Sequence, residues 1–414
     1  MNKYQINCYH ITRRFVPENA SETEKKIHEL MDFLQKKEHQ NTVISTLAGA
    51  SITEEMYENY SVKRFHHNYP YLNLNKQDRE FLDETIGNPH CKGISKFLKK
   101  SSDVDIYHIH TSGRIAVSVT NIAKKYKIPY IVSVFTDADK LHFEKLEKIK
   151  KRIIDYGKFI DAFSKDIDIF SEAAGIICYD HKKFILLKEK YPDKNIIPAF
   201  CAIDLEEFQI VGSHDFRKKY KISPTSELVL FESDIDLGAN QIRLLELAEH
   251  LRSQKENFHF LFIGKIKSKN YLQKMQQKID EAKLHNMITI ISDLSSDLNF
   301  LKQAYEAADY FINPATKWSQ NEQILKAWAS RVPVISFQSE GSGFLFDNKK
   351  NCYLYKKDDL RSLADSLNFV RTNSGFRVRL IQNSFNQLKN NFTRKQIHKN
   401  ILELYRKISQ NSSE

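Results

Sequence analysis

An alternation of short β-branched segments with amphipathic, Lys/Glu-rich segments runs along the whole 414-residue chain. Leu228-Val-Leu-Phe231 is one of the apolar segments, and residues 240–254 form one of the amphipathic segments. Such alternation is typical of βαβ units, in which helices connect parallel strands. Because the chain is too long for one ordinary hydrophobic core, we predict an α/β protein with two Rossmann-like domains built on doubly wound parallel sheets.

The same periodicity predicts the individual elements and the domain limits. Predicted strands lie near residues 4–11, 41–47, 105–110, 129–135, 174–179, 227–232, 258–263, 287–291, 310–313 and 332–337. Predicted helices lie near residues 22–37, 115–126, 181–190, 240–254, 271–284, 298–308 and 321–331, with one or two long helices from 376 to about 408. The strand and helix count restarts after residues 203–213. We therefore predict an N-terminal domain of residues 1–205, a C-terminal domain of 206–389 and a final helical segment, 390–414.

The composition limits where the protein is expected to lie in the cell and which partners it is expected to bind. Hydrophobic residues make up 41% of the chain and charged residues 28%, as in compact globular proteins. No long apolar run suggests a signal peptide or a membrane span, so we expect a cytoplasmic protein. The net charge of +11 favours an acidic partner, such as an anionic membrane face or phosphorylated small molecules. No nucleic-acid-binding motif accompanies this charge, and we expect no nucleic acid.

Metal and cofactor motifs are not recognisable in the sequence. His108 and His110 lie two residues apart on a predicted strand and share one face, but no third ligand is recognisable, so we expect no metal. The five cysteines are scattered and form no Cys-x-x-Cys pair, which argues against a zinc site or a disulfide framework. The chain contains no Walker loop, no Gly-x-Gly-x-x-Gly and no serine-nucleophile elbow.

Seven segments, in this order, resemble the family-4 retaining glycosyltransferases of the GT-B fold. Each segment alone is a weak signal, whereas their order and spacing together are a strong one. The segments cover residues 10–18, 103–114, 127–133, 173–178, 203–208, 301–314 and 326–335. The resemblance implies two Rossmann-like domains that face a central cleft, with the C-terminal helix returning to the N-terminal domain. It also implies a nucleotide-sugar donor and a glycan or lipid-linked acceptor.

The chemistry of this family requires charged groups, because a nucleoside diphosphate leaves while positive charge builds on the sugar. In the N-terminal half, the resemblance places Ser21 and Glu22 where the family has a Gly-Gly pair near phosphate. Phe135 stands where the family has a histidine near the sugar, so it supplies neither a hydrogen bond nor a proton. The resemblance implies acceptor-side roles for His110, Arg114 and Glu24.

The C-terminal half departs from the family at four implied donor positions. The Arg and Lys expected after the first strand of this domain correspond to Asp234 and Ala239, which removes two contacts to diphosphate. The two acidic positions, eight residues apart, correspond to Trp318 and Lys326. Glu322 lies one helical turn from both and could replace a lost carboxylate, or could form an i, i+4 ion pair with Lys326.

Two hypotheses follow from these departures. The first is a catalytically degenerate glycosyltransferase homologue that acts as a binding or scaffold subunit, pairing with an active transferase in surface-glycan or glycoprotein assembly. The second is an active retaining transferase with an altered donor site, in which Glu322, Glu24, Arg114 or Lys317 take new roles. In either case we expect a protein that lies in the cytoplasm or peripheral to the inner membrane face.

Overall fold

The computed structural model describes residues 5–85, 87–101, 103–135, 140–157, 168–200, 202–208, 216–293, 297–315, 321–337 and 345–411. The chain divides into two compact units, of which unit 1 comprises Met1–Phe200 with His398–Glu414 and unit 2 comprises Cys201–Ile397. The chain thus enters unit 2 after Phe200 and returns to unit 1 after Ile397. The predicted domains of residues 1–205 and 206–389 stay a prediction.

Unit 1 contains an eight-stranded sheet among its described residues, in the order β10-β9-β7-β6-β1-β2-β4-β3. The pairs are parallel except for β3 with β4, and a separate antiparallel pair joins β5 to β8. The strands are β1 (Asn7–Ile11), β2 (Gln40–Thr46), β3 (Glu54–Tyr57), β4 (Tyr60–Phe65), β5 (Tyr71–Leu72), β6 (Ile106–Ile109), β7 (Tyr130–Val134), β8 (Ile154–Asp155), β9 (Gly175–Cys178) and β10 (Ile196–Pro198). The helices up to β10 are α1 (Glu22–Gln35), α2 (Lys76–Glu84), α3 (Lys92–Leu98), α4 (Gly113–Tyr126), α5 (Lys140–Lys150) and α6 (His181–Lys190).

Unit 2 contains a parallel six-stranded sheet in the order β13-β12-β11-β14-β15-β16. Its strands are β11 (Glu227–Glu232), β12 (Phe258–Ile263), β13 (Ile288–Ile291), β14 (Tyr310–Ile312), β15 (Val334–Phe337) and β16 (Tyr353–Tyr355). The helices from here to the C-terminus are α7 (Phe216–Lys219), α8 (Gln241–Ser253), α9 (Lys269–Glu281), α10 (Leu298–Ala307), α11 (Asn321–Ala329), α12 (Leu360–Thr372), α13 (Ser374–Asn391) and α14 (Arg394–Asn411). Every residue of β12 is buried, which explains why its sequence is apolar except for His259.

The predicted strands and helices are confirmed within a few residues at their ends. The periodicity did not predict the β3–β4 hairpin, helices α2, α3 and α12, or strands β5, β8, β10 and β16. Among the described helices, none is both long and apolar enough to cross a bilayer.

Both sheets contain a switch point, where two neighbouring strands send the chain to opposite sides. In unit 1, β1 leads to β2 on one side while its neighbour β6 leads to β7 on the other. In unit 2, β11 leads to β12 while its neighbour β14 leads to β15. Ligands of open α/β sheets bind beyond the carboxyl ends of the strands at such points. The residues that follow β1, β6, β11 and β14 are therefore the first places to look for a site.

Candidate functional site

A cavity of about 740 Å³ lies in unit 1 at the β1–β6 switch point. Its lining includes the segments that follow β1 and β6, the last residues of β7, the end of α2 and residues of α6. His110, Ser133 and Phe135 line it, as do Ser21 and Glu24 of the first loop and helix. The structure thus brings together four of the residues to which the resemblance gave a role, namely Ser21, Glu24, His110 and Phe135, at the carboxyl edge of one sheet.

Three buried histidines form a cluster behind this cavity. His10 on β1 is the register partner of His108 on β6, and His110 follows β6 directly. Their exposed fractions are 0% for His10 and His108 and 4% for His110. The ring centroids of His108 and His110 are 3.8 Å apart, and the two ring planes are tilted by 40°. His10 was missed by the sequence analysis as a member of this group, because its contact depends on β1 lying beside β6.

Hydrogen bonds engage most ring nitrogens of the cluster. His10 Nδ1 lies 3.0 Å from His110 Nε2, and His10 Nε2 lies 3.1 Å from Asn41 Oδ1. His108 Nδ1 lies 2.5 Å from the Tyr405 hydroxyl and His108 Nε2 lies 2.8 Å from Ser133 Oγ. His110 Nδ1 is buried and has no hydrogen-bond partner.

Burial keeps the three imidazoles neutral. It lowers the pKa of His10 to about 4, although the bond to Asn41 acts in the opposite direction. Burial, followed by the neighbouring histidines, lowers the pKa of His108 and of His110 well below the ordinary value. Neutral imidazoles are also metal ligands, and ligand atoms of the three residues lie within 4.8 Å of one another. A metal would have to replace the bonds just described, so the expectation of no metal stays a prediction.

The polar and charged side chains of the first loop form hydrogen bonds and ion pairs with other residues of the protein. Ser21 caps α1 in a capping box with Glu24: its hydroxyl accepts from Glu24 N, and Glu24 Oε2 accepts from Ser21 N. Glu24 is buried and also forms an ion pair with Arg14, with Nη1 to Oε2 at 2.5 Å. Both carboxylate oxygens are therefore occupied, since Oε1 accepts from Val16 N. The acceptor-side role of Glu24 remains a prediction.

Glu22 and Arg114 also have partners. The Glu22 side chain is 82% exposed and lies 2.8 Å from Lys25 Nζ. Arg114 is buried, and its guanidinium donates to Asn88 O and to both carboxylate oxygens of Asp155. It is not among the described residues that line the cavity. A structural role thus accounts for Arg114, and its acceptor-side role also remains a prediction.

Phe135, at the implied position of the family histidine, is half-buried at the end of β7. Its ring stacks on Tyr179 with centroids 4.7 Å apart and an interplanar angle of 4°. The Phe135 carbonyl accepts a hydrogen bond from Lys183 Nζ at 2.9 Å. One ring face is thus covered by Tyr179, and the side chain contributes an apolar surface to the cavity.

In unit 2, the implied cation positions after β11 carry no cation. The Asp234 side chain is exposed, and Ala239 is buried with its amide bonded to Asp236. Asn240 follows in a left-handed conformation, with φ +57°, and α8 begins at Gln241. The basic side chain of Arg243, on α8, lies 2.8 Å from Glu246. Arg243 is thus paired within its own helix. The donor-site roles of Asp234 and Ala239 remain predictions.

Lys326 on α11 belongs to a buried charged cluster at the end of β11. Its Nζ lies 2.9 Å from Glu232 Oε1 and 3.2 Å from Glu322 Oε1. Glu232 Oε2 accepts from the Tyr305 hydroxyl at 2.7 Å. Burial alone would lower the pKa of Lys326, but the charges of Glu232 and Glu322 raise it overall. Lys326 is therefore charged, and its charge is balanced within the protein.

Glu322 forms the i, i+4 pair with Lys326 that was one of its two expected roles, and its side chain is 67% exposed. Glu232 was not predicted as part of the site, although an acidic residue that ends a buried apolar strand indicates a charged or hydrogen-bonding partner. Trp318 and Lys317 lie outside the described residues.

Comparisons with known proteins bear on the fold and on the C-terminal part of the chain. Residues 213–387 match the family described as Glycosyl transferases group 1. The alpha-monoglucosyldiacylglycerol synthase of Streptococcus pneumoniae (strain ATCC BAA-255 / R6) is 24% identical over 274 residues, which is 64% of this chain and 59% of that protein. The 2-deoxystreptamine N-acetyl-D-glucosaminyltransferase of Niallia circulans is 21% identical over 317 residues, covering 74% of this chain and 77% of that protein.

Among solved structures, a glycosyltransferase from Rickettsia africae ESF-5 superimposes with a TM-score of 0.63 at 16% identity. The superposition covers 98% of this chain and 99% of that one. Similarity at this level of identity shows the fold. The chain therefore has the GT-B fold of glycosyltransferases, and residues 213–387 carry its match to the group 1 glycosyl transferases.

Proposed function

We propose that this protein is a family-4-type glycosyltransferase homologue that binds a glycan or lipid-linked acceptor in unit 1 and does not transfer sugar from a nucleotide-sugar. In this proposal it acts as a binding or scaffold subunit beside an active transferase in surface-glycan or glycoprotein assembly. The observation that carries the proposal is the buried pair of Lys326 and Glu232.

One member of this pair, Lys326, is opposite in charge to the residue that the resemblance implies at its position. The family would have cations after the first strand of its C-terminal domain and a carboxylate at position 326. Here Glu232 ends that strand, and Lys326 provides the cation on α11. Each charge is neutralised by the other inside the protein, so neither Glu232 nor Lys326 is left to contact a sugar or a diphosphate. Transfer chemistry needs such counter-charges in the transition state.

The location and the partners are part of this proposal. The pneumococcal relative is a monoglucosyldiacylglycerol synthase, which favours a lipid-linked acceptor. A net charge of +11 suits attachment to an anionic membrane surface, and we place the protein at the inner face of the membrane. The proposal requires neither a metal nor another cofactor.

An active retaining transferase with an altered donor site is the second candidate. The comparisons favour it, because both curated relatives are transferases or synthases by name. Glu322 is the carboxylate of the cluster that is most accessible to a ligand, since its side chain is 67% exposed.

Calorimetric titration with a panel of nucleoside diphosphates and nucleotide-sugars separates the two candidates. We expect no micromolar binding to the native protein. The Glu322→Gln variant serves as the matched control, because it alters the accessible carboxylate and leaves the pair of Lys326 and Glu232 in place. Micromolar binding of any nucleotide-sugar to the native protein, accompanied by sugar transfer to a lipid or glycan acceptor, would overturn the binding-subunit proposal.

A further inference from the structure

Both arginines at the cavity of unit 1 are already bound within the protein. The Arg13 guanidinium donates to the carbonyls of Leu82, Asp83 and Thr85 at the end of α2. Arg14 is paired with Glu24. The rest of the lining includes hydroxyl side chains and aromatic rings, among them Thr12, Thr111, Ser112, Phe135 and Phe170. Hydroxyls and apolar rings together suit an uncharged polyhydroxylated ligand better than a phosphate.

The bonds of His110 determine where its hydrogen lies. The Asn41 amide nitrogen donates to His39 O at 3.0 Å, so Asn41 Oδ1 must be the atom that accepts from His10. His10 therefore carries its hydrogen on Nε2, and its Nδ1 accepts from His110 Nε2. A neutral imidazole has one hydrogen. His110 Nδ1 is consequently a bare acceptor, and it is also the ring nitrogen that lacks a partner.

A second chain of bonds orients Ser133. The Tyr405 hydroxyl donates to His108 Nδ1, because an imidazole nitrogen is a stronger acceptor than the sulfur of the neighbouring Cys8. His108 Nε2 then carries the hydrogen and donates to Ser133 Oγ. The hydrogen of the Ser133 hydroxyl is left without an assigned acceptor. Ser133 thus offers a donor and His110 an acceptor, and both line the same cavity.

We propose that His110 and Ser133 together bind one hydroxyl group of an uncharged sugar in this cavity. His110 Nδ1 accepts the hydrogen of that hydroxyl, and Ser133 donates to its oxygen. A sugar hydroxyl matches the pair because it is both donor and acceptor. His108 couples the two residues, since its ring lies 3.8 Å from that of His110 between centroids and its Nε2 lies 2.8 Å from Ser133 Oγ. The inference rests on the proposed function, which places a glycan acceptor in unit 1.

The first test measures the tautomer. In protein labelled with ¹⁵N-histidine, long-range ¹H–¹⁵N correlation reports which ring nitrogen carries hydrogen, and the His110→Gln variant assigns the His110 signals. We expect a neutral His110 with hydrogen on Nε2 alone. Hydrogen on Nδ1 at neutral pH would overturn the proposal, whatever the activity of the protein.

The second test measures binding, with methyl hexopyranosides as probes. We expect a saturating glycoside to shift the Nδ1 resonance of His110. We expect His110→Gln and Ser133→Ala each to weaken the Kd about threefold to tenfold, as the loss of one hydrogen bond would. His110→Gln keeps an amide that can donate to His10 and replaces the Nδ1 acceptor by a carbonyl oxygen at a different position, so we expect the variant to fold but to lose the ligand contact. The matched controls are Ser45→Ala and His259→Gln, buried residues that do not line the cavity, and we expect both to bind like the native protein.

The outcomes distinguish this inference from the proposed function. Glycoside binding that both variants leave unchanged would overturn the hydroxyl-binding pair and leave the acceptor cavity in place. An Nδ1 resonance that no glycoside shifts would show that the pair holds water only, and this also overturns the inference. A native protein that binds no glycoside by any measurement would overturn the acceptor role of unit 1 as well.

Discussion

Lys326 Nζ lies 2.9 Å from Glu232 Oε1, and both side chains are more than nine-tenths buried. A buried pair of this kind is costly to desolvate and contributes little net stability, yet breaking it leaves one charge without its partner. Tyr305 adds a hydrogen bond to the same carboxylate. Each residue of the pair thus neutralises the charge that the other buries in the core of unit 2.

Removal of the Glu232 charge should therefore destabilise unit 2. We expect Glu232→Gln to lower the free energy of unfolding by about 3–5 kcal/mol, because Lys326 would remain buried without its main counter-charge. Glu322→Gln, which removes the exposed partner of the same lysine, should cost less than about 1 kcal/mol. Chemical denaturation of the two variants measures the difference. Equal losses would show that Glu232 is not the main partner.

Exchange of the two charges tests the pair in another way. We expect Lys326→Glu to destabilise unit 2 strongly, since it places a third carboxylate beside Glu232 and Glu322. The double exchange Glu232→Lys with Lys326→Glu should recover part of the loss, and denaturation midpoints of the three proteins measure it. A double variant no more stable than Lys326→Glu would contradict the pairing.

Two substitutions restore the acidic residues that the resemblance implies at positions 318 and 326, without restoring the cations that would contact the diphosphate. We expect Trp318→Glu with Lys326→Glu to give no sugar transfer, because the cations that the diphosphate needs are still missing and because Lys326→Glu also destabilises unit 2. The experiment measures labelled sugar incorporation into a lipid or glycan acceptor. Measurable transfer by this double variant would contradict the prediction.

The histidine cluster should make unit 1 sensitive to acid. Burial lowers the pKa of His10 to about 4, whereas the unfolded chain titrates near the ordinary value of 6.5. Between these values the unfolded state binds more protons than the folded state, so stability is present above about pH 6.5 and is lost as the pH falls toward 4. Each such histidine changes the free energy of unfolding by up to about 1.4 kcal/mol per pH unit in this range.

Urea unfolding at a series of pH values measures this slope. We expect His10→Gln to reduce it, because the variant removes one of the groups that titrate only after unfolding. Lys36→Gln changes a surface charge of the same unit that is already protonated in this range, and should leave the slope unchanged. A slope that is the same in His10→Gln and native protein would show that His10 titrates normally.

The hydrophobic periodicity of the sequence predicted most strands of the two sheets, whereas it predicted only part of the candidate site. Strands such as β11 and β12 are buried apolar runs, and such runs are visible in the sequence. The partnership of His10 with His108 depends on β1 lying beside β6, which no local pattern reveals. Glu232 and Lys326 are 94 residues apart and meet because β11 and α11 converge at a switch point. The capping box of Ser21 and Glu24 was readable, since Ser-x-x-Glu before an apolar helix is its signature.

Packing of the C-terminal helix on unit 1 gives the last prediction. Gly175 begins β9, and a Cβ at this position would lie 2.6 Å from Leu404 Cδ2 of α14. Leu404 is buried at 4% exposure, so its side chain has little room to move. We expect Gly175→Ala to lower the free energy of unfolding by about 1–3 kcal/mol, as overpacking of a core does.

Amide hydrogen exchange should be faster in α14 of the Gly175→Ala variant, because the helix must shift to make room for the added methyl group. The matched control is Gly375→Ala in α13, where the nearest atom to an added Cβ is the Arg379 guanidinium at 3.7 Å and the substitution should be neutral or slightly stabilising. Leu404→Ala added to Gly175→Ala should remove the clash, so the two losses should not add. Additive losses would mean that the glycine and the leucine do not meet.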